Sequence, residues 1–286
     1  MLLILGAGGQ VGRALVERAG AQGLGRDRAA CDITDPAAVA RSLSMPALSV
    51  VVNCAAYTAV DRAETDAAAA YAVNAEGAKI VARASAARGL PIIHLSTDYV
   101  YAGTCCGPHR EDEAVAPVNV YGASKAAGDA AVAAENLAHL LLRVSWVFGV
   151  YGANFVKTML RLGRERDELR VVADQQGGPT EARDIADAIM TIAMACRRPG
   201  FSRWGTYHFS GTPPTSWYGF AEMIFERASG RLARLRPIAT RDYPTPARRP
   251  LISTLDCSLI HRVFGLEQPD WRASLSRVLT DLGEAA

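Results

Sequence analysis

Short unbroken apolar runs alternate with stretches of helical spacing through the first half of the chain. Leu2–Leu5, residues 49–56 (SVVVNCAA), 90–95 (LPIIHL) and 139–147 are the runs, with a weaker one at 22–28. Continuous apolar residues of that length predict strands buried on both faces. Between them, 13–21, an alanine-rich 66–88 and a segment running to about residue 135 predict helices. Strand–helix alternation of this kind specifies an α/β fold with a doubly wound, Rossmann-like parallel sheet. Beyond residue 147 the rhythm changes. Helices are expected at 155–166, 184–197 and 217–229, strands at 169–173 and 206–210, then a loop rich in proline and arginine at 241–250. Helices Ser258–Phe264 and 271–282 close the chain. The expected organisation is one domain over 1–150, with later segments at about 180–210 packing back onto it, and a smaller α/β lobe over 151–286. A cleft between two lobes is a usual place for a small-molecule site.

The first strand runs directly into Gly6-Ala7-Gly8-Gly9-Gln10-Val11-Gly12 and then into helical spacing. Strand, glycine loop and helix are the context a dinucleotide fingerprint requires, although Gly6-x-x-Gly9-x-x-Gly12 is not the strict spacing. Gly6 permits a tight turn, Gly9 lets backbone approach a pyrophosphate, and Gly12 allows close helix–strand packing. The helix N-terminus adds N–H donors and a positive dipole end. The alternative is a tight βα turn without a ligand. After the second strand, an acid suits NAD and an arginine suits the 2′-phosphate of NADP. Here Arg26 and Arg28 flank Asp27, so the stretch points both ways and tilts towards NADPH. Asp32 either contacts adenine or caps the next helix, for which Asp35 before Pro36 is the better placed residue. Ala55 and Ala56, small residues after the third strand, would let a cofactor pass close to backbone.

Ser96, Thr97 and Asp98 follow the 90–95 strand, at the carboxyl end where ligands of open parallel sheets bind. Tyr121 and Lys125 are four residues apart at the start of a helix and share a face. An ammonium beside a phenol favours the phenolate, which makes a tyrosine a usable general acid or base. A plain surface helix carries the same spacing by chance. Asn53 is polar within an apolar run and needs a partner; Asn74 interrupts a helical face.

Half of the residues are hydrophobic, about a fifth charged, and the net charge is +2 with both signs scattered. That gives no case for nucleic acid or membrane binding, and no apolar run is long enough to span a bilayer. The N-terminus reads as a buried strand and not a signal peptide. The six cysteines include the adjacent pair Cys105-Cys106 but no Cys-x-x-Cys pair, so reduced thiols and a cytoplasmic location are expected.

With the glycine turn, Ser/Thr after a later strand and Tyr-x-x-x-Lys on the next helix, the chain resembles the extended short-chain dehydrogenase/reductase superfamily. Ser96-Thr97-Asp98-Tyr99-Val100-Tyr101, Asn119-Val120-Tyr121-Gly122, Arg143-Val144-Ser145-Trp146-Val147, Asp174-Gln175-x-Gly177-Gly178-Pro179-Thr180 and Tyr243-Pro244-Thr245-Pro246-Ala247-Arg248-Arg249-Pro250 look like the dTDP-4-dehydrorhamnose reductase family. The resemblance implies reduction of dTDP-4-dehydro-L-rhamnose to dTDP-L-rhamnose with NADPH or NADH. It implies Tyr121 as proton donor, Thr97 as hydrogen-bond partner of the same oxygen, and Lys125 as the group that lowers the Tyr121 pKa and holds the nicotinamide ribose. It would place Gly9, Gln10, Val11, Asp32, Ile33, Ala56, Tyr57, Thr58, Tyr121 and Lys125 at the cofactor, and Thr97, Asp98 and Trp146 at the sugar or its nucleotide. Arg248 and Arg249 are candidates for the substrate diphosphate; the alternative is a solvated basic loop.

Some members of the family hold magnesium through glutamates at a dimer contact. Here Glu181-Ala182-Arg183-Asp184 follows Thr180, and the arginine argues against a metal, so none is expected. A homodimer stays open. A dehydratase of the same superfamily would need Asp-Glu after the Ser/Thr, whereas Tyr99 follows Asp98. The remaining alternatives are a reductase of another nucleotide-linked keto-sugar and a non-catalytic regulatory subunit with this fold.

Overall fold

A computed structural model describes residues 1–104, 107–230 and 232–286; Cys105 and Cys106 lie outside the described residues. The five early apolar runs and Gly205–Phe209 form one six-stranded parallel sheet. Its order across the sheet is Gly205–Phe209, His139–Val144, Ile92–Thr97, Val50–Asn53, Leu2–Leu5, Gly23–Arg26. The chain therefore reverses direction of winding between the first and third strands, and ligands bind outside the carboxyl ends at such a switch point.

Side chains along each strand alternate between two cores. Leu2, Ile4, Val50 and Val52 pack with Leu15 of the Gln10–Ala19 helix and with Ile185, Ile189 and Ile192 of the Ala182–Cys196 helix. Leu3, Leu5 and Val51 face the other way, against Val39, Leu43, Val81 and Val132. A third cluster, around Phe148, Phe220, Ile224, Trp271 and Leu275, belongs to the later part of the chain.

Several elements differ from the expected ones in ways that shape the site. The third strand stops at Asn53, so 54–56 leave the ladder and turn towards the cleft. The fourth extends through Thr97, which puts Ser96 and Thr97 in the strand itself. The expected single helix over 66–88 is two α-helices, Ala67–Tyr71 and Ala78–Ala87, joined by a π-helical stretch, Ala72–Gly77. Asn74, which interrupts the helical face in the sequence, lies in that wide turn and is buried. A short helix, Val60–Ala63, follows the third strand. Arg234–Ile238 is a strand where none was expected; it pairs in parallel with Glu168–Val172. Its exposed arginines and Pro237 hide it from an apolar-pattern reading, and proline suits such an edge.

Candidate active site

The glycine turn is fixed by space. Gly6 has φ +77°, and a Cβ there would lie 2.5 Å from Ala55 N. A Cβ on Gly12 would lie 2.2 Å from Gly6 O. Gly9 is the N-cap of the Gln10–Ala19 helix and offers no side-chain cap, so first-turn N–H groups are left to other partners. Two cavities meet here, sharing Gly9, Cys54 and Ala56. The smaller, about 280 Å³, has Gly6, Asp32, Ile33, Ala55 and Tyr57 in its wall, beside Arg28. The larger, about 660 Å³, has Gln10, Val11, Gly12, Thr58, Tyr121 and Lys125 in its wall, together with Thr97, Asp98 and Trp146.

Asp32 spends its carboxylate locally. It accepts from Thr34 N at 3.0 Å and Thr34 Oγ1 at 2.7 Å, which hold its pKa below the usual range, while Arg28 Nε approaches at 3.3 Å. Asp35 is the cap of the next helix, accepting from Ala37 N at 2.8 Å.

The Val120–Glu135 helix is started by Asn119, whose Oδ1 accepts from Gly122 N at 2.7 Å. Two glycines let it sit hard against its neighbours. A Cβ on Gly122 would meet Tyr99 O at 2.2 Å, and one on Gly128 would meet Asn74 O at 2.0 Å. Asn74 locks the same junction: it accepts from Tyr57 N, donates to Tyr57 O and donates to Ser124 Oγ at 2.9 Å. This seating brings Tyr121 and Lys125 to the cavity opposite Thr97 at the end of its strand.

Burial pushes the Tyr121 phenol above its ordinary range, opposed by a hydrogen bond with Thr97. The expected lowering of that phenol by Lys125 is not what this arrangement produces: desolvation is the largest influence, Asp98 and Asp129 push the same way, and the opposing group is Thr97. Lys125 is itself buried and turns its Nζ to Leu95 O at 2.7 Å and His94 Nε2 at 3.3 Å. Burial brings its pKa down to about 8, with Asp129 and Cys54 pulling the other way. Thr97 Oγ1 donates to Asp98 Oδ1 at 3.0 Å and accepts from Tyr99 N at 3.2 Å. Asp98 is buried and rises to about 6 through desolvation, held back by hydrogen bonds from Ser253, Thr97 and Ser145.

Trp146 breaks the strand after Val144 with φ 46°. Its indole donates to Ser253 Oγ at 3.1 Å and its ring stacks on Trp217, centroids 3.5 Å apart. Gly177 is pressed onto the same ring; a Cβ there would lie 2.3 Å from it. A further cavity of about 370 Å³ shares Tyr99, Phe155 and Trp217 with the large one and reaches Arg170, Gln175, Tyr243 and Arg249. The two arginines of 241–250 part company. Arg249 makes a fork onto Asp61, 3.0 Å and 2.8 Å, at the wall of that cavity. Arg248 is exposed, and its carbonyl accepts from Asn119 Nδ2 at 2.7 Å. Glu181 is buried and its carboxylate is met by Arg277 at 2.7 Å.

Sequence reasoning missed Trp217, Phe155, Tyr99 and His94. Trp217 and Phe155 begin helices in the later part of the chain, where spacing signals a core face and not a cavity wall. His94 sits inside an apolar run with nothing to mark its neighbours.

A parallel sheet with a glycine-gated switch point, and a Thr, Tyr and Lys gathered in the adjoining cavity, define a Rossmann-type enzyme of the dehydrogenase/reductase kind. Residues 1–284 match the RmlD substrate binding domain family. A dTDP-4-dehydrorhamnose reductase of Sinorhizobium fredii is 43% identical over 284 residues, spanning 97% of this chain and 96% of that one. The crystal structure of a Clostridium acetobutylicum dTDP-4-dehydrorhamnose reductase superposes with TM-score 0.92 at 35% identity, covering 99% of each chain. That of the Bacillus anthracis enzyme, in complex with NADP, superposes with TM-score 0.91 at 37% identity, covering 98% of each. The chain belongs to the dTDP-4-dehydrorhamnose reductase family.

Proposed function

We propose that this protein reduces the C4 keto group of dTDP-4-dehydro-L-rhamnose to give dTDP-L-rhamnose, the last step of activated rhamnose synthesis. The carrying observation is the convergence of Thr97, Tyr121 and Lys125 on the cavity that begins at the glycine turn. A cradle in which a Cβ on Gly6 or Gly12 would strike backbone, below a helix N-terminus without a side-chain cap, fits a dinucleotide. Gly9, Gln10, Val11 and Ala56 would hold its middle; Asp32, Ile33 and Tyr57 its adenosine end; Thr58, Tyr121 and Lys125 its nicotinamide end. NADPH or NADH supplies the hydride when bound, and Arg28 beside the smaller cavity favours NADPH.

As charge develops on the C4 oxygen, Tyr121 donates its proton there and the Thr97 hydroxyl hydrogen-bonds the same atom. A phenol raised by burial stays protonated at neutral pH, which is the state a proton donor needs. Lys125 positions the ribose and adds positive charge behind the phenol. Trp146 and Asp98 border the sugar, and Trp217 extends that wall. Arg249 faces the adjoining cavity, where the nucleotide of the substrate would lie, and the exposed Arg248 beside it in sequence is the second candidate for the diphosphate. No helix among the described residues is long and apolar enough to cross a membrane, and the reading places the enzyme in the cytoplasm.

Incubation with enzymatically prepared dTDP-4-dehydro-L-rhamnose and NADPH should yield dTDP-L-rhamnose, identified by proton NMR. Turnover of a different nucleotide-linked keto-sugar only, or binding of cofactor without turnover, would replace this reading with one of the two alternatives.

A further inference from the structure

His94 has no part in the chemistry above, yet it is fully buried against the one lysine of the site. Both of its ring nitrogens face nitrogen atoms: Nδ1 lies 3.1 Å from Asn53 Nδ2, and Nε2 lies 3.3 Å from Lys125 Nζ. A neutral imidazole has one N–H and one lone pair, so it can accept from only one of these. Burial holds His94 neutral, well below its ordinary pKa. The orientation of Asn53 decides which nitrogen accepts. Its Oδ1 takes the N–H of Ala55 at 3.1 Å, so its Nδ2 must be the atom that faces the ring. Asn53 therefore donates to Nδ1, and the ring proton sits on Nε2, aimed at Lys125.

An ammonium has only donors; an amine keeps a lone pair. With Nε2–H in front of it, Nζ completes the chain as an amine, accepting from His94 while donating to Leu95 O at 2.7 Å. The ammonium form instead sets two N–H groups against each other in a buried place, where an unmatched polar group is costly. Other groups facing Lys125 work in the opposite sense. Asp129 on its own helix and Cys54 after the third strand favour the charge. Asp129 is partly spent on Arg143, 3.2 Å away on the neighbouring strand. Tyr121, one turn earlier, lines the same cavity.

We propose that His94, fixed by Asn53 as its Nε2–H tautomer, is a positioning residue that sets whether Lys125 is an amine or an ammonium. Lys125 is thus a switchable group: acceptor oxygens entering the cavity favour its charged form, and His94 shifts the balance towards the amine when they are absent. The inference rests on the reading of Lys125 as part of the active site, but it is tested without turnover.

The chain has three lysines, Lys79, Lys125 and Lys157, so the side chains can be followed one by one by carbon-13 NMR, with Lys125→Met assigning the signal. Lys125 is expected to titrate near 8 in the wild type. In His94→Gln, with the amide oxygen turned to Nζ, its midpoint should rise by about one pH unit or more, as an acceptor favours the charged form. An unmoved midpoint would overturn the proposal. Nitrogen-15 histidine spectra of the wild type give a second reading that needs no variant. An Nε2–H tautomer for His94 is required, and an Nδ1–H tautomer would overturn the proposal even if His94→Gln does not fold. Failure of the reductase reading would leave both signals where they are expected.

Discussion

Trp146 and Trp217 stack face to face, with ring centroids 3.5 Å apart and 3° between planes. One ring comes from the break after a sheet strand and the other from the first residue of the Trp217–Arg227 helix. The pair joins the two parts of the chain at the wall of the cavity. Trp217→Ala should therefore act on substrate binding more than on the chemical step. Losing the stack and its wall, worth about 1 kcal/mol beyond simple burial, should raise KM for the sugar nucleotide by roughly fivefold to tenfold with kcat little changed. Steady-state kinetics at saturating cofactor would show the split.

Gly6 is held at φ +77° against Ala55. In Gly6→Ala both the backbone conformation and the new Cβ are unfavourable, at a cost on the order of 1–3 kcal/mol. Since the strain falls on the turn proposed to cradle the cofactor, Kd for NADPH should rise at least tenfold and Tm should drop. Titration by protein fluorescence and a thermal melt would measure both. Gly20→Ala is the comparison: its φ is also positive, +50°, but a Cβ there has nothing within 4 Å. Loss of stability without loss of cofactor affinity is expected for it.

The Asp61–Arg249 fork ties the short Val60–Ala63 helix to the 241–250 segment. Asp61 also takes the N–H of Ala247 at 3.2 Å. In Asp61→Ala the segment loses both anchors, so amide hydrogens around Ala247–Arg249 should exchange faster while those of the central sheet do not. Uniform exchange, unchanged from wild type, would mean that the segment is held by something else.

Asp98 provides a pH signature. Its folded pKa, about 6, lies above the ordinary value of 3.8 because it is buried. The folded state thus binds this proton more tightly than the unfolded chain. The stability it confers is complete below about pH 4 and is lost as pH rises through 6. Asp98→Asn cannot titrate, so the stability of the variant relative to wild type should improve between pH 4 and 6 and level off above. Denaturant melts across that window would read the trend, and the opposite slope would rule out burial as the dominant influence on Asp98.

The sheet, the glycine turn and the Tyr121–Lys125 face were legible because each depends on local pattern: apolar runs, residues without Cβ, a four-residue spacing. What escaped depends on distant neighbours. Asn74 showed only as an interruption of a helical face; its partners Tyr57 and Ser124, which draw it inward where the helix widens, lie on other segments of the chain. The strand at Arg234–Ile238 is paired on one side only, so its exposed side chains carry no apolar signal. Lys125 was read as tuning Tyr121 directly, from spacing on the helix. In three dimensions its Nζ is drawn towards Leu95 O and His94, on a different element. Arg248 and Arg249 are adjacent in sequence, yet only Arg249 reaches the cavity wall.

Tyr121 is the proposed proton donor of a reductase, and its removal is the most direct test. Oxidation of NADPH and of NADH should be followed with dTDP-4-dehydro-L-rhamnose for wild type beside Tyr121→Phe, with cofactor binding measured for both. Rapid oxidation by wild type and a loss on the order of 10²–10⁴ in the variant, with cofactor still bound, is the predicted result. A folded wild type that binds cofactor without ever oxidising it, or a Tyr121→Phe variant that keeps its rate, would contradict it.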